Sequence, residues 1–233
     1  AGLDTLPGTA AEILHDDVRQ QICADKLSST QWLEVMRHAH ELGFTTTATI
    51  MFGHLDHPQH WAAHLLHIKA LQDSTGGFTE FVPLPYVHME APLYRRGGSR
   101  RGPSFREALL MHAVSRLVFN GSINNIQASW VKMGHTGALT CLQAGANDLG
   151  GTLMNESITR AAGADHGQEW APADIEQAIH GLGRTPLMRT TRYQPASAER
   201  RSAALAAGQL LDCVQDQAGR RQRSKSLSDP VQV

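Results

Sequence analysis

From Phe44 to Phe52 the chain runs through threonine, alanine, isoleucine, methionine and phenylalanine without a charge, between Gly43 and Gly53. A β-branched apolar run of this kind predicts a buried strand. On either side the apolar residues recur at helical spacing. Ser28 to Leu42 places Trp32, Val35, Met36, Ala39 and Leu42 on one face, and Gly43 ends it. Pro58 to Gln72 repeats the pattern with Trp61, Leu65, Ile68 and Leu71, and stops before Gly76–Gly77. Phe78 to Leu84 predicts the next strand, cut short by Pro83 and Pro85.

Val87 to Pro103, with its RRGGSRRG run, reads as a loop. Phe105 to Val118 predicts a helix with Leu109, Leu110, Ala113 and Leu117 inward. Then come a strand over Ile123 to Trp130, a short helix over Thr136 to Ala144 and a very short strand over Ala146 to Leu149. Helices over Thr152 to Ala162 and Pro172 to Leu182 complete the pattern. Ahead of all this, LDTLPGTAAEIL gives a short apolar start, a Pro-Gly turn and a helix-capable run. There Thr9 is placed to cap a helix with Glu12 at the capping-box position.

Strand and helix alternate, so the expected fold class is α/β, built from about five parallel βα units. A closed barrel of such units needs eight. Residues 1–195 are expected to form this unit, and 196–233 a tail. SAERRSAALAAGQLL in that tail is helix-capable, and the polar end RRQRSKSLSDPVQV is expected to be disordered.

A chain of 233 residues, 41% hydrophobic, is long enough for one sizeable core. Lys and Arg number 21 against 22 Asp and Glu, so no basic field points to nucleic acid or an anionic membrane. No apolar run reaches the length of a membrane span, and AGLDTLPGTAAEIL lacks the features of a signal peptide, so a cytoplasmic location is expected. Cys23, Cys141 and Cys213 are too scattered for a zinc motif or a disulfide framework and read as ordinary thiols. His60, His64 and His67 share a helical face, but without a partnering carboxylate or thiolate they read as a solvated face in a His-rich chain.

Two junctions carry candidate chemistry: TTATIMFGHLDH (Thr46 to His57) and GANDLGGTLMNESI (Gly145 to Ile158). Each reads as a strand breaking into a Gly-containing polar turn and then a helix, where backbone N–H groups converge on ligands. Asn147 and Asp148 end a strand and Thr152 opens a helix, which gathers donors and acceptors able to hold a polar ligand; the alternative is a capped turn. Gln127 ends a strand with an amide that can both donate and accept, and Lys132 reads as a surface charge.

Taken in order, GLDTLPGTAAEIL, TTATIMFGHLDHPQHW, TGGFTEFVPLPYVH, NIQASWVKMG, GANDLGGTLMNESI and GRTPLMRTTRY resemble the tyrosine-using half of FO synthase. These are radical S-adenosylmethionine (SAM) enzymes that make the deazaflavin precursor of coenzyme F420. Relatives in the futalosine route to menaquinone share a looser form of the pattern. The resemblance covers roughly Ala1 to Tyr193. It implies a partial radical-SAM (β/α) barrel of TIM type, about strands 4–8, with SAM and a [4Fe–4S] cluster as cofactors. L-tyrosine and 5-amino-6-(D-ribitylamino)uracil are the implied substrates, joined by transfer of the 4-hydroxybenzyl group.

The same resemblance assigns roles. Glu12 faces the SAM ribose, unless it is the capping-box residue. Met51 and Gly53 line the adenine, and His54 bonds to adenine or substrate, unless it is a turn residue. Gln127, Asn147, Asp148 and Thr152 meet the substrates. Arg184, Arg189 and Arg192 close the far side of the barrel or stand solvated. The CxxxCxxC loop that holds the cluster does not occur in this sequence. The expectation is therefore a part of a longer enzyme, inactive alone and missing the N-terminal half of the barrel, or a truncated remnant.

Overall fold

The computed structural model describes residues 2–3, 5–153, 156–164 and 168–208. Cys213 and the polar end of the expected tail lie outside the described residues.

The chain opens with β1 (Thr5–Leu6), α1 (Asp16–Ile22), α2 (Ser29–Glu41), β2 (Thr45–Phe52) and α3 (Pro58–Thr75). β3 (Phe78–Pro85), α4 (Pro92–Arg95), α5 (Phe105–Val118), β4 (Asn125–Ile126) and α6 (Trp130–Gln143) follow. Last come α7 (Ile158–Ala161), α8 (Pro172–Gly181) and α9 (Ala198–Ala206). Among the described residues the sheet has four strands in the order β1-β2-β3-β4, every pair parallel. A parallel bridge from Gln127 to Asp148 adds a fifth strand position at the β4 edge. The α/β class and the parallel order follow from the βα alternation of the sequence.

Local chemistry fixes the elements. Ser28 and Gln31 form a capping box at the start of α2, and Ser104 and Glu107 form another at α5. α3 begins at Pro58, where the missing N–H costs nothing, and ends at Gly76 with φ 67°. The outward face of the sheet, with Ala48, Ile50, Phe52, Phe81 and Ile126 fully buried, packs under α2, α3, α5 and α6. Phe52 meets Trp61 edge to face and Phe81 meets Phe119, which ties these helices to one core. The opposite face carries Thr47, Thr49 and Met51 of β2 beside Glu80, Val82 and Leu84 of β3.

Several expectations are corrected. No helix caps at Thr9, because Ala10 and Glu12 adopt positive φ and α1 starts only at Asp16. β3 runs through Pro83 to Pro85. The expected strand over Ile123 to Trp130 pairs at Asn125–Ile126 and through the Gln127 bridge. α6 is kinked at Gly134 (φ 70°, ψ 168°), with a turn from Trp130 ahead of the kink and the expected short helix after it. The expected helix from Thr152 is a single turn at Ile158–Ala161; Met154 and Asn155 lie outside the described residues. Val35 and Leu42 on α2, and Leu110 and Leu117 on α5, face outward. Ala108, Met111, His112 and Ser115 take the inner face of α5.

Candidate functional site

The turn after β2 is built on one carboxylate. Asp56 is 1% exposed and accepts from the backbone N–H of Gly53 at 2.8 Å and of His54 at 2.7 Å, and from the Trp61 indole. Gly53 has φ 96°, and Pro103 packs where its Cβ would stand. His54 is equally buried. Its Nδ1 accepts from the Leu55 N–H and its Nε2 donates to the Met51 carbonyl, which fixes a neutral ring. Burial pushes the ring pKa below its ordinary value even with the Asp56 carboxylate beside it.

The loop after β1 approaches the same turn. Met51 N–H donates to the Glu12 carbonyl at 2.7 Å, and Gly8 bonds through both backbone groups to Thr47 and Thr49. Arg19, 3% exposed, donates to the carbonyls of Ala10, Ala11, Ile13 and Leu27 and so shapes the loop from beneath. The Glu12 carboxylate pairs with Lys26 at 2.7 Å. Glu12, Met51, Gly53 and His54 thus converge. Glu12 and Met51 keep partly exposed side chains, while Gly53 and His54 build the turn under them.

A second group gathers around Glu80 of β3. Gln127 donates from Nε2 to Oε2 of Glu80 at 2.9 Å. Arg189, from the segment after α8, donates through Nε to Asp148 and through Nη2 to Oε1 of Glu80 at 3.3 Å. The Tyr193 ring sits 4.3 Å from the guanidinium carbon. Burial and the Asp148 carboxylate raise the Glu80 pKa to about 7, with Arg189 pulling the other way. Burial, followed by the charge of Glu80, also raises the Tyr193 phenol.

Asn147 stands apart from this group. Its Oδ1 accepts from Ile126 N–H and Arg116, and its Nδ2 donates to the Asn124 carbonyl, so it extends the ladder beyond β4. Thr152 contributes a carbonyl that accepts from Trp170 N–H. The turn between them is braced by the Trp130 indole on the Gly151 carbonyl at 2.8 Å.

Glu80 and Tyr193 are functional candidates missing from the sequence reading. The available signal was a lone carboxylate in the otherwise uncharged strand FTEFVPLP. Lys132 is corrected from surface charge to a half-buried side chain in the first turn of α6, its pKa lowered by burial against the pull of Glu156. His64 is fully buried, which corrects the solvated-face reading at that position. Among the described residues no group of three or more His, Cys, Asp or Glu is placed to hold a metal ion.

The family model described as "CofH/MqnC C-terminal region" matches residues 75–202. The chain belongs to the CofH/MqnC C-terminal region family. Relatives extend the likeness across the N-terminal part. A 5-amino-6-(D-ribitylamino)uracil–L-tyrosine 4-hydroxyphenyl transferase of Methanopyrus kandleri is 54% identical over 195 residues, 84% of this chain and 53% of the relative. An FO synthase of Nocardia farcinica is 51% identical over 193 residues, 83% of this chain and 22% of the relative. A Methanocaldococcus jannaschii transferase with the same name as the first is 48% identical over 193 residues, with 54% of it covered. The chain therefore spans about half the length of the archaeal relatives and less of the FO synthase.

Among the described residues of this family member, the cysteines do not fit an iron–sulfur cluster. Cys23 and Cys141 are buried at α1 and in α6, and burial raises both thiols, Cys141 to about 12. Cluster ligation needs thiolates close together. No helix among the described residues is long and apolar enough to cross a membrane.

Proposed function

We propose that this chain supplies the C-terminal part of a tyrosine transferase that joins the 4-hydroxybenzyl group of L-tyrosine to 5-amino-6-(D-ribitylamino)uracil, a step of coenzyme F420 biosynthesis. The observation that carries the reading is 54% identity across 84% of the chain to a transferase of that name. The parallel order of the four strands supports it, since part of a (β/α) barrel would present such a sheet with binding groups past the C-terminal ends of its strands. SAM and a [4Fe–4S] cluster are the cofactors of that chemistry, and the cluster must come from protein outside this sequence.

The chain's own residues bind and orient. The Glu12 carboxylate accepts from the two ribose hydroxyls of SAM, and Met51 lies along the adenine. Gly53 and His54 hold the turn beneath it. Gln127 and Asp148 face the uracil, while Asn147 and Thr152 keep the fifth strand position and its turn in place. Residues 1–195 act as one unit in this reading, with 196–233 as an appendage.

Mixing the chain anaerobically with the cluster-bearing N-terminal part of the Methanopyrus kandleri relative tests the proposal. The expected result is tyrosine-dependent 5′-deoxyadenosine and the coupled deazaflavin precursor, from the mixture and from neither part alone. Release of a futalosine-type product in place of it, or no product although both parts assemble and the cluster is intact, would overturn it.

A further inference from the structure

Gln127 and Glu80 face each other from neighbouring strands with one hydrogen-bond polarity open to them. Nε2 of Gln127 lies 2.9 Å from Oε2 of Glu80. An ionised carboxylate accepts and cannot donate, so the amide must turn its NH2 toward Glu80 and its carbonyl away. The carbonyl side is kept clear by Gly150, where a Cβ would stand 2.5 Å from Gln127 Oε1. Gly150 holds φ 78°, and its N–H donates to Asp148 Oδ1 at 2.7 Å. Arg189 donates to the other oxygen of Glu80, and the Tyr193 hydroxyl hydrogen-bonds the same carboxylate.

A protonated Glu80 reverses the logic. Its O–H becomes a donor. With the proton on Oε2, 2.9 Å from the Gln127 amide, the amide turns over to accept it through its carbonyl and presents NH2 on the other side; the Tyr193 hydroxyl is the competing acceptor. We propose that Glu80 is a positioning residue that sets the polarity Gln127 shows to a ligand, acceptor when Glu80 is ionised and donor when it is protonated. The ionised pair selects a heterocycle carrying a ring N–H, the chemistry of a pyrimidine-2,4-dione. The ligand class rests on the uracil reading above; the turning of the amide does not.

The charged and titratable groups facing Glu80 are Asp148 from the fifth strand position, and Arg189 and Tyr193 from the segment after α8. β4 places the neutral Asn125 in register with Glu80, the neutral Gln127 follows it, and β2 places Thr47 opposite. With the Glu80 pKa at about 7, both states are populated near neutrality.

The test uses the whole 233-residue chain. The Gln127 side-chain amide is followed by 15N NMR between about pH 5.5 and 8.5 in wild type, E80Q and E80D. Calorimetry with 5-amino-6-(D-ribitylamino)uracil and its N3-methyl analogue is run at both ends. The amide is expected to titrate with a midpoint near 7 in wild type, to titrate in E80D, and to stay flat in E80Q. The uracil is expected to bind about tenfold more tightly at the alkaline end, with that preference lost in E80Q and for the N3-methyl analogue. An amide that does not respond to pH, or responds equally in E80Q, overturns the proposal whatever binds. If the amide titrates but no uracil binds, the ligand class falls with the functional reading and the polarity switch stands.

Discussion

The backbone N–H of Leu14 donates to Nδ1 of His64 at 2.9 Å, joining the loop after β1 to the middle of α3 across 50 positions. The ring is completely buried, and burial lowers its pKa to about 3. The unfolded chain takes up a proton near 6.5 and the folded chain does not, so this contribution is intact above about 6.5 and is lost as pH falls toward 3. Within that window the slope approaches about 1.4 kcal/mol per pH unit. His40, His54 and His112 are shifted in the same direction, so a comparison with H64Q isolates this ring. Urea unfolding at pH 7.5 and 5.5, conditions set about the ordinary histidine value, should show wild type losing more stability than H64Q. Equal losses would remove His64 from the acid response.

Gly53→Ala should unfold the turn after β2. The new methyl would stand 2.2 Å from Pro103 Cδ, and the residue must hold φ 96°. Strain and overpacking together predict a loss of about 2–4 kcal/mol. Gly43→Ala is the control, with positive φ but open space around it, and should cost less. Chemical denaturation midpoints of the two variants decide the matter.

Arg19→Met should cost about 3 kcal/mol or more, because it strips the donor from several buried carbonyls at once. Arg19→Lys should recover little of that, since an ammonium cannot fork between Ala11 and Leu27 as the guanidinium does. Hydrogen exchange at residues 10–14 reads the effect locally; unchanged protection there in Arg19→Lys would show that charge alone suffices.

Glu80 gives a pH dependence of the opposite sign to His64. Its folded pKa, about 7, lies above the ordinary value of 4.5. The stability tied to its proton is full below about 4.5 and is lost as pH rises through 7. Wild type should therefore lose ground to E80Q between pH 5 and 8, a window set by those two values. Thermal melts of both proteins across that range check it, and parallel curves would place the Glu80 pKa near its ordinary value.

The α/β alternation was legible because each long element carries its own signal. Trp61, Leu65, Ile68 and Leu71 mark the buried face of α3, and Phe105 to Val118 is bounded in sequence as it is in the fold. Face assignment failed where the nearest neighbour demanded small or polar side chains. Ala108, His112 and Ser115 lie under α5 while Leu117 points out, and hydropathy alone ranks them the other way. The candidate site was half visible. Gln127 and Asp148 stood out as polar residues at strand ends; Glu80 was visible only as a lone carboxylate in an uncharged strand, because its role depends on Arg189 arriving from a distant segment. His54 looked available from its place after a strand; only the fold shows Asp56 and Met51 enclosing it.

The contact between Arg189 and Glu80 spans 109 positions, which places it late in the order of events when the chain is made. A ribosome releases sequence from the N-terminus onward, so β3 is synthesised and able to pair well before its guanidinium exists. Until then Glu80 and Asp148 have no cation between them, and carrying a proton is the cheapest way for Glu80 to sit in the young sheet. The candidate site is thus completed by its last-made piece, and assembly of the sheet must precede charge matching within it.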